Sequence, residues 1–299
     1  MSILSKKYFY NEKAAFKHVE SIIWADGKKC PHCQSQRKIY EIKGKSTRLG
    51  LHKCGDCRKQ FTVRIGTIFE ESHLPLHKWL QAIFLIASSK KGISSHQLHR
   101  TLEITYKTAW FLSHRIREAM KQNDLPFVGG DGKVVEADET YIGNKGKHKK
   151  GARGWGHKEK VFSLVERGGK VSSHHVPFTD SKTLMPILQK EVKPETTLMT
   201  DEAKQYIKIG KNFKDHQVVV HSKKEYVRGS AHTNTIEGFF SIFKRGMKGI
   251  YQHCKGHHLH RYLAEFDYRY NSKDISDLQR SDNVLKGFVG KRLTYWQAG

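Results

Sequence analysis

Apolar side chains recur every three or four positions in the segment that follows residue 75. Residues 76–89 keep this spacing throughout, which predicts an amphipathic helix. Gly92 interrupts the pattern, and Ser94 is a suitable N-cap for a short second helix. A longer third helix is predicted to begin near Tyr106 and to end at Met120. Short helices in this order are typical of a helix-turn-helix, whose last helix can enter the major groove of DNA.

Beyond residue 133 the pattern changes to the alternation of a sheet. Residues 134–142 alternate polar and apolar side chains, which predicts a strand. A β-hairpin, a helix, a strand, a short helix, a strand and a helix are expected after it, which is the order of an RNase H-like α/β core with a mixed five-stranded sheet. The main segments after the first strand are predicted at residues 161–178, 181–192, 196–200, 217–221 and 235–247, with a closing helix at 259–270.

Two Cys-x-x-Cys pairs lie near the N-terminus. Such turns present two thiolates each, and two of them complete a tetrahedral Zn²⁺ site of the zinc-ribbon kind. The nearby His32 and His52 are not needed, because four sulfurs fill the coordination shell. One structural Zn²⁺ ion is therefore predicted, with no open position for chemistry. Its ligands are Cys30, Cys33, Cys54 and Cys57.

The chain of 299 residues is strongly basic, with 54 Lys and Arg against 29 Asp and Glu and a formal net charge of +25. Basic residues occur along the whole length, which favours nucleic acid as partner over charge that serves solubility alone. No apolar stretch approaches the roughly 18 residues that span a membrane. The N-terminus also lacks the apolar segment of a signal peptide. A cytoplasmic protein that does not bind membranes is predicted.

Three acidic residues occupy suggestive positions in the expected core. Asp138 lies within its first strand, Asp201 at the end of its fourth, and Glu237 in a later helix. Carboxylates brought together in this way stay ionised only beside cations, and hard oxygen ligands favour Mg²⁺ or Mn²⁺. Two such ions can activate an attacking hydroxyl and stabilise a leaving oxygen. Lys244 lies two helical turns beyond Glu237 and is expected on the same face.

These residues resemble the DDE motif of transposases and retroviral integrases. The sequence His232-Thr-Asn-Thr-Ile-Glu-Gly, the basic Lys244-Arg-Gly and the preceding zinc ribbon are similar to one branch of bacterial insertion-sequence transposases. The resemblance extends from about Asn11 to Asn271. It implies binding of terminal inverted repeats, DNA strand cleavage and transfer of a 3′-hydroxyl into target DNA. It also implies a homodimer or larger assembly on paired ends, associated with the bacterial nucleoid.

The third metal ligand stays open between two residues. In parts of that branch the third position is an asparagine, and Asn234 stands where it would fall. Asn234 and Glu237 are one helical turn apart, so both could face the metals. The charge and spacing of Glu237 favour it, with Asn234 as partner or substitute. Glu136 is the main rival to the triad, because alternation puts it on the strand face of Asp138.

Contacts to DNA are predicted in both halves of the chain. Base contacts are expected at the start of the third helix, although an ordinary helical hairpin with a solvated basic face is the alternative. Phosphate contacts are expected later in that helix, in the glycine- and lysine-rich segment 143–158 and at the end of helix 235–247. The candidates are Tyr106, Lys107, Thr108, His114, Arg115, Arg117, Lys145, Lys147, Lys149, Lys150, Arg153, Lys244 and Arg245.

A multidomain α+β protein is thus predicted, with residues 123–133 as a linker. Two other functions fit the same residues: a domesticated transposase that binds DNA as a regulator without catalysis, or an RNase H-like structure-selective nuclease. The expected domains are a zinc ribbon with an N-terminal extension at 1–72, a helix-turn-helix-like section at 73–125, an RNase H-like catalytic core at 126–275 and a C-terminal tail at 276–299.

Overall fold

The fold of the chain consists of two compact units. Residues 1–121 together with 274–299 form the first unit, and residues 122–273 form the second. The structure, a computed structural model, describes residues 2–122, 127–143, 158–220, 232–252 and 254–298. In these ranges no helix combines the length and apolar character needed to cross a membrane.

Helices and strands are numbered along the chain. The strands are β1 (Ile39–Glu41), β2 (His52–Cys54), β3 (Gln60–Phe61), β4 (Val134–Ile142), β5 (Glu159–Glu166), β6 (Val171–Val176), β7 (Thr197–Asp201) and β8 (Asp215–Val219). The helices are α1 (Glu12–Ile23), α2 (Leu76–Ser88), α3 (Ser95–Leu102), α4 (Tyr106–Met120), α5 (Ser181–Glu191), α6 (Gln205–Gly210), α7 (Asn234–Gly246), α8 (Leu259–Asn271), α9 (Asp277–Lys286) and α10 (Tyr295–Ala298).

Local capping explains where the predicted helices of the first unit begin. The side chain of Ser94 accepts a hydrogen bond from the Gln97 N–H at 3.1 Å, which confirms it as the N-cap of α3. Thr105 caps α4 in the same way through the N–H of Thr108. Between the two helices Glu103 has a left-handed φ of 50° and ends α3 through its own N–H. The short turn expected for a helix-turn-helix is therefore present.

The C-terminal residues, expected as a tail, belong to the fold of the first unit. Ser276 and Gln279 form a capping box at the start of α9, and Val284 and Leu285 are buried beneath it. Arg280 donates to the main-chain oxygen of Ala87 at the end of α2. The capping box is a local signal in the sequence from which α9 could have been predicted.

The second unit is built on the mixed sheet that the sequence predicts. Its strand order is β6-β5-β4-β7-β8, with β4 in the centre. β4 and β5 pair antiparallel, as do β5 and β6, whereas β4 pairs parallel to β7 and β7 parallel to β8. This arrangement confirms the predicted RNase H-like order of a five-stranded sheet with helices.

Helices cover both faces of this sheet. On one face, Phe162 and Leu164 pack with residues of α5 and α6. On the other, Val161 and Val165 pack with aromatic residues of α7 and α8, among them Phe243. Burial of each such side chain contributes about 1.5–3 kcal/mol relative to exposure. Since side chains alternate along a strand and Asp138 pairs with Ser163, Asp138 lies on the α7 side.

The sequence predicts a linker before β4, whereas residues 128–133 are attached to the sheet. The N–H of Gly129 donates to a carboxylate oxygen of Glu166, and that of Gly130 to the hydroxyl of Thr196. Gly129 has a φ of +81°, and a Cβ there would come within 2.1 Å of the Thr196 hydroxyl oxygen. Only glycine allows this close approach, so its presence reflects packing rather than a flexible connection.

Candidate functional site

The four cysteines of the first unit form a compact sulfur cluster. The Sγ atoms of Cys30 and Cys57 are 3.7 Å apart, and those of Cys33 and Cys54 are 3.6 Å apart. Four sulfurs at about 2.3 Å from a tetrahedral Zn²⁺ lie about 3.8 Å from one another, so the cluster fits this ion. Within the described ranges it is the one group of three or more Cys, His, Asp or Glu whose ligand atoms all lie within 4.8 Å of each other.

The neighbouring histidines contact protein groups: the His32 ring lies 3.4 Å from the main-chain oxygen of Gln60. Both ring nitrogens of the buried His52 have protein partners, the main-chain oxygen of Gly50 at 3.0 Å and the amine of Lys28 at 2.8 Å. Its ring packs against Trp24 and Phe61, which also contact each other. The sulfur cluster and this small aromatic group together make the interior of the zinc ribbon.

The predicted acids are carried by three elements of the second unit. Asp138 lies in β4, Asp201 is the last residue of β7, and Glu237 lies in the first turn of α7. The parallel β4–β7 register pairs Glu136 with Met199. Continued by two residues, it brings Asp138 level with Asp201.

Main-chain and hydroxyl donors orient these carboxylates. The N–H of Glu139 donates to Asp138 Oδ1 at 2.7 Å, and the N–H of Ala203 to Asp201 Oδ1 at 3.0 Å. The hydroxyl of Thr233, just before α7, donates to Glu237 Oε1 at 2.9 Å. Hydrogen bonds of this kind hold a carboxylate in one orientation.

Asp201 and Glu237 both lie within electrostatic range of Asp138. Burial raises the pKa of Asp138 to about 8, and the negative charges of Glu139, Asp201 and Glu237 act in the same direction. Mutual repulsion of buried carboxylates is relieved by cations. The donor set, hard carboxylate oxygens of like charge, is of the kind that binds divalent ions such as Mg²⁺ or Mn²⁺, although the oxygens of the three acids do not all lie within 4.8 Å of one another.

Lys244 on α7 interacts electrostatically with two of these acids. Burial lowers its pKa, and the negative charges of Asp138 and Glu237 oppose that change, so both acids lie within electrostatic range of the amine. Lys158 and Lys248 lower the pKa of Lys244 further by repulsion. Lys158 ends the glycine- and lysine-rich segment in which phosphate contacts are predicted, whereas Lys248 lies in no recognisable motif. They add positive charge at the edge of the acidic site.

The neighbouring acids have different surroundings. Glu139 accepts a hydrogen bond from the Tyr206 hydroxyl at 2.7 Å, and burial raises its pKa to about 7. Glu136, the rival to the triad, is fully buried and each of its oxygens accepts hydrogen bonds from protein groups. Glu136 is therefore unavailable to a metal. Asn234 is the exposed first residue of α7, and the choice between it and Glu237 stays a prediction.

Several predicted DNA contacts on α4 need correction. Arg115 is 4% exposed, and it donates to the main-chain oxygen of Glu70 and lies over the rings of Trp79 and Phe111. His114 and Arg117 are buried as well. They belong to the interior of the first unit because they lie on the packed face of α4. The sequence spacing alone did not reveal which basic residues occupy that face.

Other predicted contacts are accessible. Tyr106 is 44% exposed and stacks on His96, while the amine of Lys107 lies 4.5 Å from the ring centroid of Tyr295. Thr108 is partly buried at the same end of α4, and Arg245 is exposed on α7. The other candidates lie outside the described residues, namely Lys145, Lys147, Lys149, Lys150 and Arg153.

The metal-free protein should become more stable when Asp138 is replaced by Asn. The pKa of Asp138 is raised from an ordinary 3.8 to about 8, so the folded state holds this proton more tightly than the unfolded chain. Stability is then lost as pH rises from about 4 to 8, and it stays lost above pH 8. In buffer without Mg²⁺ or Mn²⁺, Asp138→Asn is expected to raise the melting temperature at pH 9 by about 5 °C or more, and by little near pH 4.

The control for this experiment is Asp180→Asn. Asp180 is exposed at the N-cap of α5, and hydrogen bonds from Thr183 lower its pKa instead of raising it. This variant should gain no stability at pH 9 in the same calorimetric measurement. Equal melting temperatures of Asp138→Asn and the wild type at pH 9 would contradict the expected burial of charge.

Comparison with known proteins adds to this geometry. Residues 10–60 match the transposase zinc-ribbon domain, and residues 129–271 match the ISXO2-like transposase domain. An uncharacterized protein in transposable element ISH50 of Halobacterium salinarum is 28% identical over 257 residues, which cover 80% of this chain and 84% of that protein. An uncharacterized transposase-like protein of Haemophilus influenzae is 28% identical over 119 residues, 40% of this chain and 95% of that protein.

The two matched domains contain the sulfur cluster and the acidic residues described above. The zinc-ribbon match contains the four cysteines, and the transposase-domain match contains the mixed sheet with its acids and Lys244. The chain therefore belongs to the ISXO2-like DDE transposases with an N-terminal transposase zinc ribbon.

Proposed function

We propose that the chain binds the terminal inverted repeats of its insertion sequence, cleaves DNA strands there and joins the resulting 3′ end to target DNA. The observation that carries the proposal is the group of Asp138, Asp201 and Glu237 on three elements of one core, in which Asp201 and Glu237 both act electrostatically on Asp138. Lys244 lies within electrostatic range of Asp138 and Glu237. A cluster of this kind, in a chain with a net charge of +25, suits phosphoryl transfer on a polyanionic substrate.

The three acids are the proposed ligands of two Mg²⁺ or Mn²⁺ ions, with Asn234 as partner or substitute for Glu237. When bound, the ions supply activation of the attacking hydroxyl and charge stabilisation of the leaving oxygen. The protein supplies orientation: the N–H groups of Glu139 and Ala203 and the hydroxyl of Thr233 hold the carboxylates in place.

Lys244 is proposed to bind a phosphate or the terminal base of the DNA end, not a metal. Lys158 and Lys248 lie within its electrostatic range, so the edge of the site is positively charged. In cleavage, a water oxygen forms a bond to phosphorus as the bond to the 3′ oxygen breaks. In strand transfer, that 3′-hydroxyl attacks a target phosphate, and a proton leaves the nucleophile as the target strand's 3′ oxygen leaves.

The first unit is proposed to provide DNA recognition. Tyr106, Lys107 and Thr108 lie at the start of α4, where a helix-turn-helix makes its base contacts. The exposed ring of Tyr106 and the amine of Lys107 suit bases and phosphates, respectively. A homodimer or larger assembly on paired ends is part of the proposal by analogy with the family.

A supercoiled donor plasmid that carries the ends of the element tests this proposal. Incubation with the full-length protein and Mg²⁺ or Mn²⁺ should produce nicks at the ends, followed by products in which the ends are joined to target DNA. Binding without nicks under both metals would support a regulator. Cleavage that never gives a joined product would support a structure-selective nuclease.

Two substitutions on α4 should separate DNA contact from folding. Lys107→Ala is expected to weaken binding to the ends several-fold and to reduce the slope of log affinity against log salt by about 1, because one phosphate contact is lost. Arg115→Met should leave the affinity of the folded protein unchanged but lower its stability by about 1–3 kcal/mol, because the Glu70 oxygen loses its donor. Fluorescence anisotropy at several salt concentrations and thermal melting measure the two effects. The reverse pattern would mean that Arg115, despite its burial, contacts DNA.

A further inference from the structure

We propose that Glu136 and Arg167 position the three acidic residues, as an ion pair that ties β4, β7 and α7 together. The inference rests on the proposed function, since it concerns the same metal site. Neither residue is a proposed ligand. Their role is to set the geometry in which the ligands meet the ions.

Glu136 anchors the start of α7 to the centre of the sheet. Its side chain is 0% exposed. Oε2 accepts the N–H groups of Thr235 and Ile236, each at 2.9 Å, and Oε1 accepts the Thr235 hydroxyl at 2.9 Å. The free N–H groups of a helix N-terminus carry partial positive charge, which a carboxylate satisfies better than a neutral group does. A strand residue therefore caps a helix that begins about a hundred residues later in the chain.

Arg167 completes the connection between the elements. It follows β5, and its Nε donates to Glu136 Oε1 at 2.6 Å. Its Nη2 donates to the main-chain oxygen of His232 at 2.7 Å and contacts the sulfur of Met199 in β7 at 2.8 Å. The planar guanidinium thus reaches β4, β7 and the residue before Thr233 at the same time, which a lysine amine cannot do.

The positions of these contacts relate the pair to the acids. Glu136 lies two residues before Asp138 on the same face of β4. Met199 lies two residues before Asp201 on β7, and Thr235 lies two residues before Glu237 on α7. In each of β4, β7 and α7, the residue that belongs to the pair or contacts it lies two positions before the acid. A shift of α7 relative to the sheet would therefore break bonds at the pair before it separated Glu237 from Asp138.

A purely structural role would be served by apolar side chains, because burial of an ion pair adds little net stability. What the pair adds is a fixed geometry: Glu136 accepts hydrogen bonds from Arg167, Thr235 and Ile236, all of them in or joined to the site. Partners that orient metal ligands typically change metal affinity or activity by about 10–100-fold when they are removed.

The test measures Mn²⁺ binding by electron paramagnetic resonance in full-length Glu136→Gln and Arg167→Lys variants. The Asp138→Asn variant gives the amount of Mn²⁺ that binds weakly outside the site. Glu136→Gln is expected to reduce Mn²⁺ affinity by about tenfold or more. Arg167→Lys keeps the charge on a partly exposed side chain and should fold, with a smaller loss. At saturating DNA ends, kcat for nicking should fall while KM stays unchanged, and excess Mn²⁺ should restore part of kcat.

Glu265→Gln is the matched control. Glu265 is also 0% exposed and also binds an arginine, Arg269, at 2.6 Å, and it accepts from the Tyr251 hydroxyl. These partners lie in α8 and before it, not at the start of α7, so Glu265→Gln should lose stability without losing Mn²⁺ affinity. The proposal is overturned if both test variants bind Mn²⁺ as the wild type does, or if Glu265→Gln loses as much affinity.

The outcomes separate this inference from the proposed function. Wild-type protein that binds Mn²⁺ but never nicks the ends would refute the transposase chemistry, while the loss of affinity in Glu136→Gln would still support positioning. Wild-type protein that nicks and joins the ends, with unchanged Mn²⁺ affinity in both variants, would refute positioning alone. If Glu136→Gln does not fold, Arg167→Lys alone decides the matter.

Discussion

Asp138→Asn is expected to reduce strand cleavage and strand transfer by at least about 10³-fold, or about 4 kcal/mol of transition-state stabilisation. Asp138 lies in the central strand, and burial together with the negative charges around it raises the pKa of its carboxyl to about 8. Asn has the same shape and can still accept the N–H of Glu139, so the fold should persist. The negative charge that would hold a divalent ion is lost, because an amide oxygen is a much weaker ligand than a carboxylate.

The measurement uses donor DNA that carries the element's ends, with nicked and joined products resolved on a gel and end binding followed separately. Asp201→Asn should lose activity to a similar extent. Asp215→Asn is the control, because Asp215 is exposed on the edge strand β8 and binds Gln217. Binding of the ends should survive in all three variants. Activity of Asp138→Asn within tenfold of the wild type would remove the basis for assigning the chemistry to this cluster.

The same substitution links activity to stability. Asp138 lowers the stability of the metal-free fold at neutral and alkaline pH, because its ionised form is disfavoured by burial and by the negative charges around it in the folded protein but not in the unfolded chain. A core optimised for stability alone would place a neutral side chain there. The expected combination, an inactive variant that melts at a higher temperature, distinguishes a residue kept for function from one kept for folding.

The sequence was sufficient for the elements with strong local periodicity. β4 is bounded by the residues that alternation predicts, and α7 presents Ile236, Phe239, Phe240 and Phe243 to the core at helical spacing. The order of such elements restricts the possible strand orders of a sheet. The pattern therefore predicted that Asp138 lies in the central strand, beside the strand that carries Asp201. The cysteine spacing likewise predicted the sulfur cluster.

Features that depend on distant partners could not be predicted in this way. Arg167 follows a hairpin strand, and nothing in its local sequence indicates bonds to Glu136 and His232. The periodicity of α4 predicts a helix but not that Arg115 would lie against Trp79, since a basic residue is ordinarily expected in solvent. Each case is decided by tertiary packing, which supplies the hydrogen-bond partners and aromatic faces that make burial of a charge tolerable.

Cys54→Ser is expected to abolish stoichiometric zinc binding and to unfold the zinc ribbon. The strands β1, β2 and β3 are only two or three residues long, and the described interior around them consists mainly of the cysteines with Phe61 and a few partly buried side chains. Such a small core cannot offset the entropy of ordering the loops. Zinc binding contributes about 10–16 kcal/mol in comparable modules, so its loss exceeds the stability of the ribbon.

Zinc content by mass spectrometry, together with amide hydrogen exchange over residues 30–61, measures this effect. The wild type should contain one zinc per chain and show protected amides in β2, whereas Cys54→Ser should show neither. Cys254→Ser is the matched control, because Cys254 lies in the second unit and its thiol donates to the main-chain oxygen of Lys255. Removal of this thiol should change neither zinc content nor protection. A Cys54→Ser protein that retains both would show that the aromatic contacts of Trp24, His52 and Phe61 are enough to fold the ribbon.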